Sequence, residues 1–266
     1  MKILVIMQAR TGSSRFANKI MMPLAGQPLL VRQAERILEA ATPFEFIIAT
    51  TTDVSDEPIR DLCRSTGLAC FSGHPTDLLD RHYQAALLYK PDAVVKIPSD
   101  CPLIDPGVID KILNFYLDHY HECDYVSNLH PATYPDGNDV EVMSFATLES
   151  AWKHAGKSFE REHTTPYIWD HPEQFRIGNV EWETGFDYSM SHRFTIDYPE
   201  DYEFIKSIYE ELWMPENPVF SLNNILALLE RKPGLYKINS KYNGVNWYRN
   251  HLNELLTVTE HQTRMT

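Results

Sequence analysis

The stretch that follows the first apolar run carries residue types that bind phosphate groups. In QARTGSSRFANK, residues 8–19, one glycine, two serines and one threonine stand beside Arg10, Arg15 and Lys19. Backbone amides can approach an anion closely at Gly12, because glycine has no side chain. Each guanidinium group can hold phosphate oxygens with two hydrogen bonds, and the ammonium group adds a point charge. Residue types alone leave two interpretations open, a basic surface loop and a phosphate-binding loop.

Two aspartates at other predicted strand ends are candidate ligands of a metal ion. Asp100 follows the apolar run DAVVKIPS (92–99), and Asp197 ends the run HRFTID (192–197). A carboxylate beside a triphosphate suits Mg²⁺, which takes one or two carboxylates plus phosphate oxygens. Taken singly, Asp197 and Asp105 are interpreted as caps of the helices that follow them. Taken together with the basic loop, Asp100 and Asp197 are the parts that nucleotidyl transfer needs.

Strands that alternate with helices must position these residues. In the first half we predict strands at 2–7, 44–51, 68–72, 92–99 and 124–128, separated by helices at 28–40, 55–67, 76–89 and 105–120. Such alternation indicates βαβ units and a mainly parallel sheet, in which ligands bind outside the carboxyl ends of the strands. The polar clusters QARTGSSR, TTTD and SDCPLIDP follow three of these strands. We therefore expect one site at this edge of the sheet.

The second half of the chain is less regular. We predict strands at 139–145, 175–182 and 192–197, helices at 158–171, 199–213 and 221–231, and a loose tail after about residue 255. Pro199 falls in the first turn of its helix, where proline is favoured. The periodic pattern fades from Lys232 onward, and chain ends without such a pattern are commonly poorly ordered.

Composition narrows the class of protein. The net charge of -13 argues against non-specific binding to nucleic acid, although a local cluster of cations can still hold phosphates. No apolar run approaches the roughly 18–20 residues of a membrane span, and the first residues do not resemble a signal peptide. The four cysteines form no CxxC pair and are interpreted as reduced thiols. We expect a soluble cytoplasmic protein that binds neither nucleic acid nor a membrane.

Six blocks in collinear order resemble the sugar-type cytidylyltransferases, the family of the CMP-Kdo and CMP-acylneuraminate synthetases. They are QARTGSSRFANKIMMPLAGQPLL, DLLDRHYQAA, SDCPLIDPGVID, YVSN with TYPDGNDVEVMSF, EREHTTPYI and RFTIDYPEDYEF. The blocks span about residues 1–213, and the similarity is greatest to the branch of the spore coat polysaccharide biosynthesis protein SpsF. Two short stretches depart from the family. FAN at 16–18 replaces a common leucine, proline and glycine, and PSD at 98–100 replaces the usual threonine, glycine and aspartate.

The resemblance implies a nucleotide-diphospho-sugar transferase fold. This is an α/β fold with a Rossmann-like, mixed and mainly parallel sheet, here followed by an irregular α+β second half. A cytidylyltransferase-like domain would cover residues 1–231, and residues 232–266 would form a partly loose C-terminal extension. A homodimer is expected, because relatives pair through the irregular second half.

The resemblance also implies roles for individual residues. Catalysis would depend on Arg10, Arg15, Lys19 and Asp100. Mg²⁺ would be held by Asp100 and Asp197. The residues that match the nucleotide-binding positions of the family are Gln8, Ala9, Arg10, Gly12, Ser13, Arg15, Lys19, Arg81, Ser99 and Asp100.

The acceptor side has a second set of candidate residues. A polyhydroxy or acidic acceptor needs hydrogen-bonding and cationic groups, and the candidates are Tyr134, Asp136, Asp139, Glu141, Arg161 and His163. Other interpretations stay open for three of them. Asp136 and Asp139 follow a turn signal, where aspartate commonly satisfies its own local backbone, and His163 on a predicted helix suits a structural role.

These observations predict a Mg²⁺-dependent enzyme that transfers CMP from CTP to a small-molecule acceptor and releases pyrophosphate. The expected acceptor is a sugar acid or a related precursor of a surface polysaccharide such as a spore coat. A polyol phosphate or a phosphonate is an alternative acceptor. Two further hypotheses are a glycosyltransferase that uses a nucleotide sugar, and a protein that binds nucleotides without turnover.

Overall fold

A seven-stranded mixed sheet organises the chain, with strand order β5-β4-β1-β6-β8-β7-β9. A computed structural model describes residues 1–13 and 15–265, so Ser14 of the predicted loop and Thr266 lie outside the described residues. A short hairpin, β2-β3, stands apart from the large sheet. The strands are β1 (Ile3–Gln8), β2 (Pro23–Leu24), β3 (Gln27–Pro28), β4 (Glu45–Thr51), β5 (Cys70–Gly73), β6 (Ala93–Pro98), β7 (Tyr125–Ser127), β8 (Glu141–Ser144) and β9 (Ile177–Asn179).

Most strand pairs of the large sheet are parallel, as the sequence predicts. β1 pairs in parallel with β4 on one side and β6 on the other, and β4 pairs in parallel with β5. β8 is antiparallel to both β6 and β7, and β9 returns parallel to β7. The carboxyl ends of β1, β4 and β6 therefore meet at one edge of the sheet. The predicted α/β fold with a mixed, mainly parallel sheet is confirmed.

Helices cover both faces of this sheet. They are α1 (Leu29–Leu38), α2 (Glu57–Thr66), α3 (Leu78–Tyr89), α4 (Pro106–His119), α5 (Phe145–His154), α6 (Ser158–His163), α7 (Pro166–Trp169), α8 (Pro199–Leu212), α9 (Leu222–Arg231) and α10 (Pro233–Tyr236). As predicted, the Asp105 carboxylate caps α4, where it accepts from the Gly107 amide at 2.7 Å. Of the helices in the described part of the chain, none is long and apolar enough to cross a membrane.

The core lies in two layers because side chains alternate along the central strand. Ile3, Val5 and Met7 of β1 face the layer that α1, α2, α4, α8 and α9 cover. Leu4 and Ile6 face the opposite layer, which α3, α5, α6 and α7 cover. β1 is thus apolar on both faces, as expected for a central strand between two helical layers.

Two predictions for the second half were wrong, and one helix was not predicted. Residues 192–197 are extended but form no strand, because their amides pair with loops: Phe194 donates to the Asp136 carbonyl at 2.7 Å and Ile196 to the Asp100 carbonyl at 2.9 Å. The helix predicted at 158–171 is two short helices, since Thr164 takes a φ of 73° and ends α6. Helix α5 was not predicted at all, although Ser144 caps it by accepting from the Thr147 amide at 3.0 Å.

The end of the chain packs against the domain where the sequence predicts a loose tail. Leu255 and Val258 are buried in the second layer of the core. The Asp170 carboxylate accepts from the backbone amides of Leu256 and Thr257, at 2.9 and 2.8 Å. These contacts give the extension a fixed position on the domain, whereas the boundary at residue 231 stays a prediction.

Candidate active site

A cleft of about 390 Å³ opens at the carboxyl ends of β1 and β6. This volume falls within the range of about 300–1,000 Å³ that is usual for small-molecule sites. All ten predicted nucleotide-binding residues line the cleft. Its walls consist of Gln8, Ala9, Arg10, Gly12, Ser13, Arg15, Lys19, Thr76, Leu78, Arg81, Pro98, Ser99, Asp100, Glu162, His163, Trp247, Asn250 and His251.

A buried carboxylate holds the loop after β1 in place. Asp56 accepts from both the amide and the hydroxyl of Thr11 at 2.7 Å, and it also bonds the hydroxyl of Thr51. The loop closes on itself where the Asn18 amide donates to the Thr11 carbonyl at 3.0 Å. Asn18 has a φ of 57°, a left-handed conformation that asparagine tolerates better than most residues. This conformation explains why asparagine can replace the common glycine of the family at position 18.

Lys19 lies between the two aspartates that the sequence singles out. Its ammonium group is 2.9 Å from an oxygen of Asp197 and 3.3 Å from an oxygen of Asp100, and it also donates to the Ile196 carbonyl. Burial disfavours the charged amine, but the carboxylates outweigh burial and raise the pKa of Lys19. The side chain therefore stays protonated at neutral pH, at the floor of the cleft.

Arg193 connects the carboxylates behind the floor of the cleft. It was not among the site residues that the sequence predicts. Only 1% of its side chain is exposed, and it contacts Asp136 at 3.2 Å, Asp197 at 3.0 Å and Asp201 at 3.0 Å. Arg15 binds the other oxygen of Asp197 at 2.6 Å. Burial works against ionisation of Asp197, yet these cations keep the pKa of its carboxyl below the usual value. Asp197 is therefore a charged group that fixes the loop after β1.

The carboxylate oxygens of Asp100, at the floor of the cleft, are of the type that binds a divalent cation. Asp100 lines the cleft with 30% of its side chain exposed, and Lys19 contacts one of its oxygens. Burial and the Asp100 charge raise the pKa of Asp139 to about 6. Mg²⁺ takes carboxylate oxygens and fills its other positions with phosphate and water. Within residues 1–13 and 15–265, however, no group of three or more His, Cys, Asp or Glu side chains forms a ready metal site.

Of the predicted acceptor residues, His163 lines the described walls of the cleft, whereas three others make contacts within the protein. Arg161 binds Asp77 at 2.6 Å, and the Tyr134 hydroxyl lies 3.5 Å from a Glu183 oxygen. Glu141 is buried, and it pairs with Lys96 and accepts from the Tyr125 hydroxyl. These contacts correspond to structural roles for Tyr134, Glu141 and Arg161.

Asp136, Asp139 and Arg81 are also held by neighbouring groups. Asp136 binds Arg193, and Asp139 accepts from the nearby Gly137 amide at 3.3 Å, which is the turn chemistry left open above. Arg81 donates to the carbonyl groups of residues 74 and 75. Burial and the Arg10 charge lower its pKa to about 10, so Arg81 is still a cation at neutral pH.

Several residues that line the cleft were not among the predicted site residues. They are Thr76, Leu78 and Glu162, together with Trp247, Asn250 and His251 from the C-terminal extension. Leu78 and Glu162 lie within the blocks DLLDRHYQAA and EREHTTPYI, and Thr76 directly precedes the first of them, so the sequence offered a hint of their location. The last three lie where the periodic pattern has faded, so only the folded chain reveals them.

Substitution of Gly12 tests whether the loop binds phosphate through its backbone. A Cβ built at Gly12 meets no described atom within 4 Å, so Gly12→Ala should change the free energy of unfolding by less than about 1 kcal/mol. We expect CTP affinity to fall at least about tenfold, because the methyl group keeps the anion from the Gly12 backbone. Titration calorimetry measures the affinity. Gly234→Ala, which also adds a Cβ in open space, is the control; unchanged CTP affinity in Gly12→Ala would contradict the prediction.

The protonation of His163 predicts a pH dependence of stability. Burial, together with the charges of Lys96, His251, Arg10 and Arg15, lowers its pKa to about 3. The unfolded chain binds the proton near pH 6.5, so acidification below that value favours unfolding. Between about pH 8 and about pH 5 the wild type should lose about 2 kcal/mol more than His163→Phe, which keeps an aromatic ring. Urea unfolding at both pH values measures the difference, and equal losses would show that His163 does not titrate in this way.

Comparison with known proteins agrees with this geometry. The sequence model of the family described as cytidylyltransferase matches residues 4–227. The chain is 35% identical over 241 residues to the uncharacterized protein MJ1063 of Methanocaldococcus jannaschii, covering 90% of this chain and 95% of that protein. It is 30% identical over 236 residues to the spore coat polysaccharide biosynthesis protein SpsF of Bacillus subtilis, with coverage of 87% and 95%.

A more distant relative and a solved structure extend the comparison. The 3-deoxy-manno-octulosonate cytidylyltransferase of Zea mays is 32% identical over 120 residues, which cover 41% of this chain and 36% of that enzyme. The structure of a cytidylyltransferase from Leptospira borgpetersenii superposes with a TM-score of 0.83 at 29% identity, over 89% of this chain and 97% of that one. Because one family model covers most of the chain and a relative is 30% identical over most of both proteins, the protein belongs to the cytidylyltransferases, a family of nucleotidyltransferase enzymes.

Proposed function

We propose that the protein transfers CMP from CTP to a sugar acid and releases pyrophosphate. The observation that carries this proposal is the position of Lys19. Its ammonium group lies at the floor of the cleft between Asp100 and Asp197, and the basic loop after β1 forms the adjacent wall. A phosphate chain that enters the cleft thus meets cations on the loop side and the Asp100 carboxylate at the end of β6.

Residues of the loop would hold the triphosphate. Arg10 and Arg15 can bind phosphate oxygens, and the backbone amide of Gly12, which lines the cleft, would supply a further donor. Lys19 would balance the charge that develops as pyrophosphate leaves, since it stays protonated while buried. The nucleophile would be an oxygen of the acceptor, so the chain needs no covalent intermediate.

Mg²⁺ would be held by Asp100, with Asp197 as a second ligand. When bound, the ion would neutralise triphosphate charge and favour in-line attack at the α-phosphate. Asp197 has little exposed surface, and its oxygens contact Arg15, Lys19 and Arg193. We therefore assign the larger part of metal binding to Asp100.

The acceptor is proposed from the relatives and from the charge of the cleft. A relative from Zea mays is named for 3-deoxy-manno-octulosonate and SpsF for spore coat polysaccharide, which supports a sugar acid used to build a surface polysaccharide. Arg10 and Arg15, which line the cleft together with His163, favour an acceptor with an anionic group. A polyol phosphate or a phosphonate also meets this requirement. The homodimer and the cytoplasmic location stay predictions.

A screen of nucleotides and acceptors tests the proposal. CTP, ATP, GTP and UTP are each combined with 3-deoxy-manno-octulosonate, N-acetylneuraminate, ribitol 5-phosphate or 2-aminoethylphosphonate, and pyrophosphate is measured with Mg²⁺ or with EDTA. We expect release with CTP and a sugar acid only, and none in EDTA. Release of pyrophosphate with only a polyol phosphate or a phosphonate would show that the proposed acceptor class is wrong, while the proposed cytidylyl transfer would stand.

Two other outcomes would change the function itself. Transfer of a sugar from a nucleotide sugar, without release of pyrophosphate from CTP, would indicate a glycosyltransferase. Tight binding of CTP without turnover of any acceptor would indicate a protein that only binds the nucleotide. The charged Asp197 and Lys19 beside the open Asp100 argue for an enzyme, because such a costly buried cluster has no evident use in simple binding.

A further inference from the structure

The segment 245–258, which we call the strap, crosses from the back of the candidate site to the opposite layer of the core. At its start, Arg193 donates to the Val245 carbonyl at 2.8 Å. At its end, Asp170 accepts from backbone amides, and Leu255 and Val258 are buried. The strap is therefore fixed at both ends. One of its anchors, Arg193, also binds the Asp197 carboxylate.

The middle of the strap forms part of the cleft wall. Trp247, Asn250 and His251 line the same cleft as the loop after β1 and Asp100. The Trp247 ring stacks on His163, with 3.8 Å between ring centroids and 13° between planes. These strap residues lie beyond residue 227, where the match to the family model ends. The described nucleotide-binding candidates all lie within that match, whereas the strap lies outside it.

The chemistry of this wall suits an anionic, partly apolar ligand. Two aromatic rings in a stack give a rigid surface with an apolar body and polar edges. Arg10, Arg15 and His251 line the same cleft as His163, and the ring centroids of His163 and His251 lie 6.2 Å apart. The Asn250 side chain adds hydrogen-bonding groups at the exposed rim of the cleft.

We propose that the strap binds the acceptor and selects it, with Trp247, Asn250 and His251 as specificity-determining residues for a ring compound with an anionic group. This inference rests on the proposed cytidylyl transfer. The nucleotide has its own candidate residues in the loop after β1 and at the end of β6. The strap instead contacts α6 through His163, which lies in a block already assigned to the acceptor side.

Steady-state kinetics with separate variation of the two substrates tests the strap. The probes are CTP and 3-deoxy-manno-octulosonate, and the variants are Trp247→Ala, Trp247→Phe and Asn250→Ala. Trp247→Ala should raise the KM for the sugar acid about tenfold and leave the KM for CTP within about twofold. Trp247→Phe should recover most of the loss, because it restores an aromatic stack. Asn250→Ala should raise the KM for the sugar acid about threefold or more.

Controls separate acceptor binding from folding. Leu256→Ala changes a strap residue that is 68% exposed and lies outside the described cleft wall, and it should leave both KM values unchanged. Asn250 is exposed, so its variant tests the proposal even where Trp247→Ala lowers the melting temperature. A rise in the KM for CTP alone, or an unchanged KM for the sugar acid in Asn250→Ala and Trp247→Ala, would overturn the inference. Absence of wild-type turnover with every acceptor would instead overturn the proposed function, and the inference with it.

Discussion

Asp100→Asn is expected to lower CTP-dependent pyrophosphate release by about 10³-fold or more. The substitution keeps the size of the side chain and removes the negative charge that lies 3.3 Å from Lys19 at the floor of the cleft. Without that charge a divalent cation loses its most accessible carboxylate ligand. A coupled pyrophosphate assay at saturating CTP and Mg²⁺ measures the loss.

The fold should survive this change, because 30% of the Asp100 side chain is exposed and it makes one long ion pair. We expect the free energy of unfolding to change by less than about 1 kcal/mol. Asp61→Asn removes a carboxylate from the exposed surface of α2, where 65% of the side chain is accessible, and serves as the control. Activity of Asp100→Asn within tenfold of the control would remove Asp100 from the catalytic set.

Arg193→Met is expected to cost about 3–5 kcal/mol of unfolding free energy. The variant keeps an apolar chain of similar reach but leaves Asp136, Asp197 and Asp201 without their shared cation. It also frees the Val245 carbonyl, which is the first anchor of the strap. The loss is expected because the substitution removes one partner of a buried ion cluster. Urea unfolding at neutral pH measures it.

An exposed arginine provides the matched control for this prediction. Arg176 binds Asp124 at 2.8 Å, with 55% of its side chain exposed. Solvent screens such a pair, so Arg176→Met should cost much less unfolding free energy than Arg193→Met. Similar losses for the two variants would mean that the buried cluster around Arg193 contributes no more than a surface ion pair.

The first half of the fold could be predicted because local pattern and tertiary structure agree there. Continuous apolar runs such as Ile3–Met7 become central strands, and the amphipathic α1 covers them. In the second half, the local sequence pattern and the tertiary structure no longer agree. Residues 192–197 alternate like a strand, but their amides bond to loops that are distant in sequence, and no local pattern encodes that pairing.

The candidate site likewise contains some residues that the sequence predicts and others that it does not. The loop after β1 and Asp100 were predicted because cations, glycine and carboxylates cluster at strand ends, and all ten nucleotide-binding candidates line one cleft. Arg193 was missed because a single arginine in a strand-like run gives no sign of three carboxylate partners in the folded chain. Trp247 was missed because its stack with His163 joins residues far apart in the chain.

Label transfer from CTP tests the central claim most directly. CTP that carries ³²P either at the α-phosphate or at the γ-phosphate is incubated with the protein, Mg²⁺ and 3-deoxy-manno-octulosonate, and the products are separated. Cytidylyl transfer predicts that the α-label moves into the sugar acid product and the γ-label into pyrophosphate, with both transfers lost in Asp100→Asn. A γ-label in inorganic phosphate, or an α-label that stays in unreacted CTP while the wild-type protein is folded and binds the nucleotide, would contradict it.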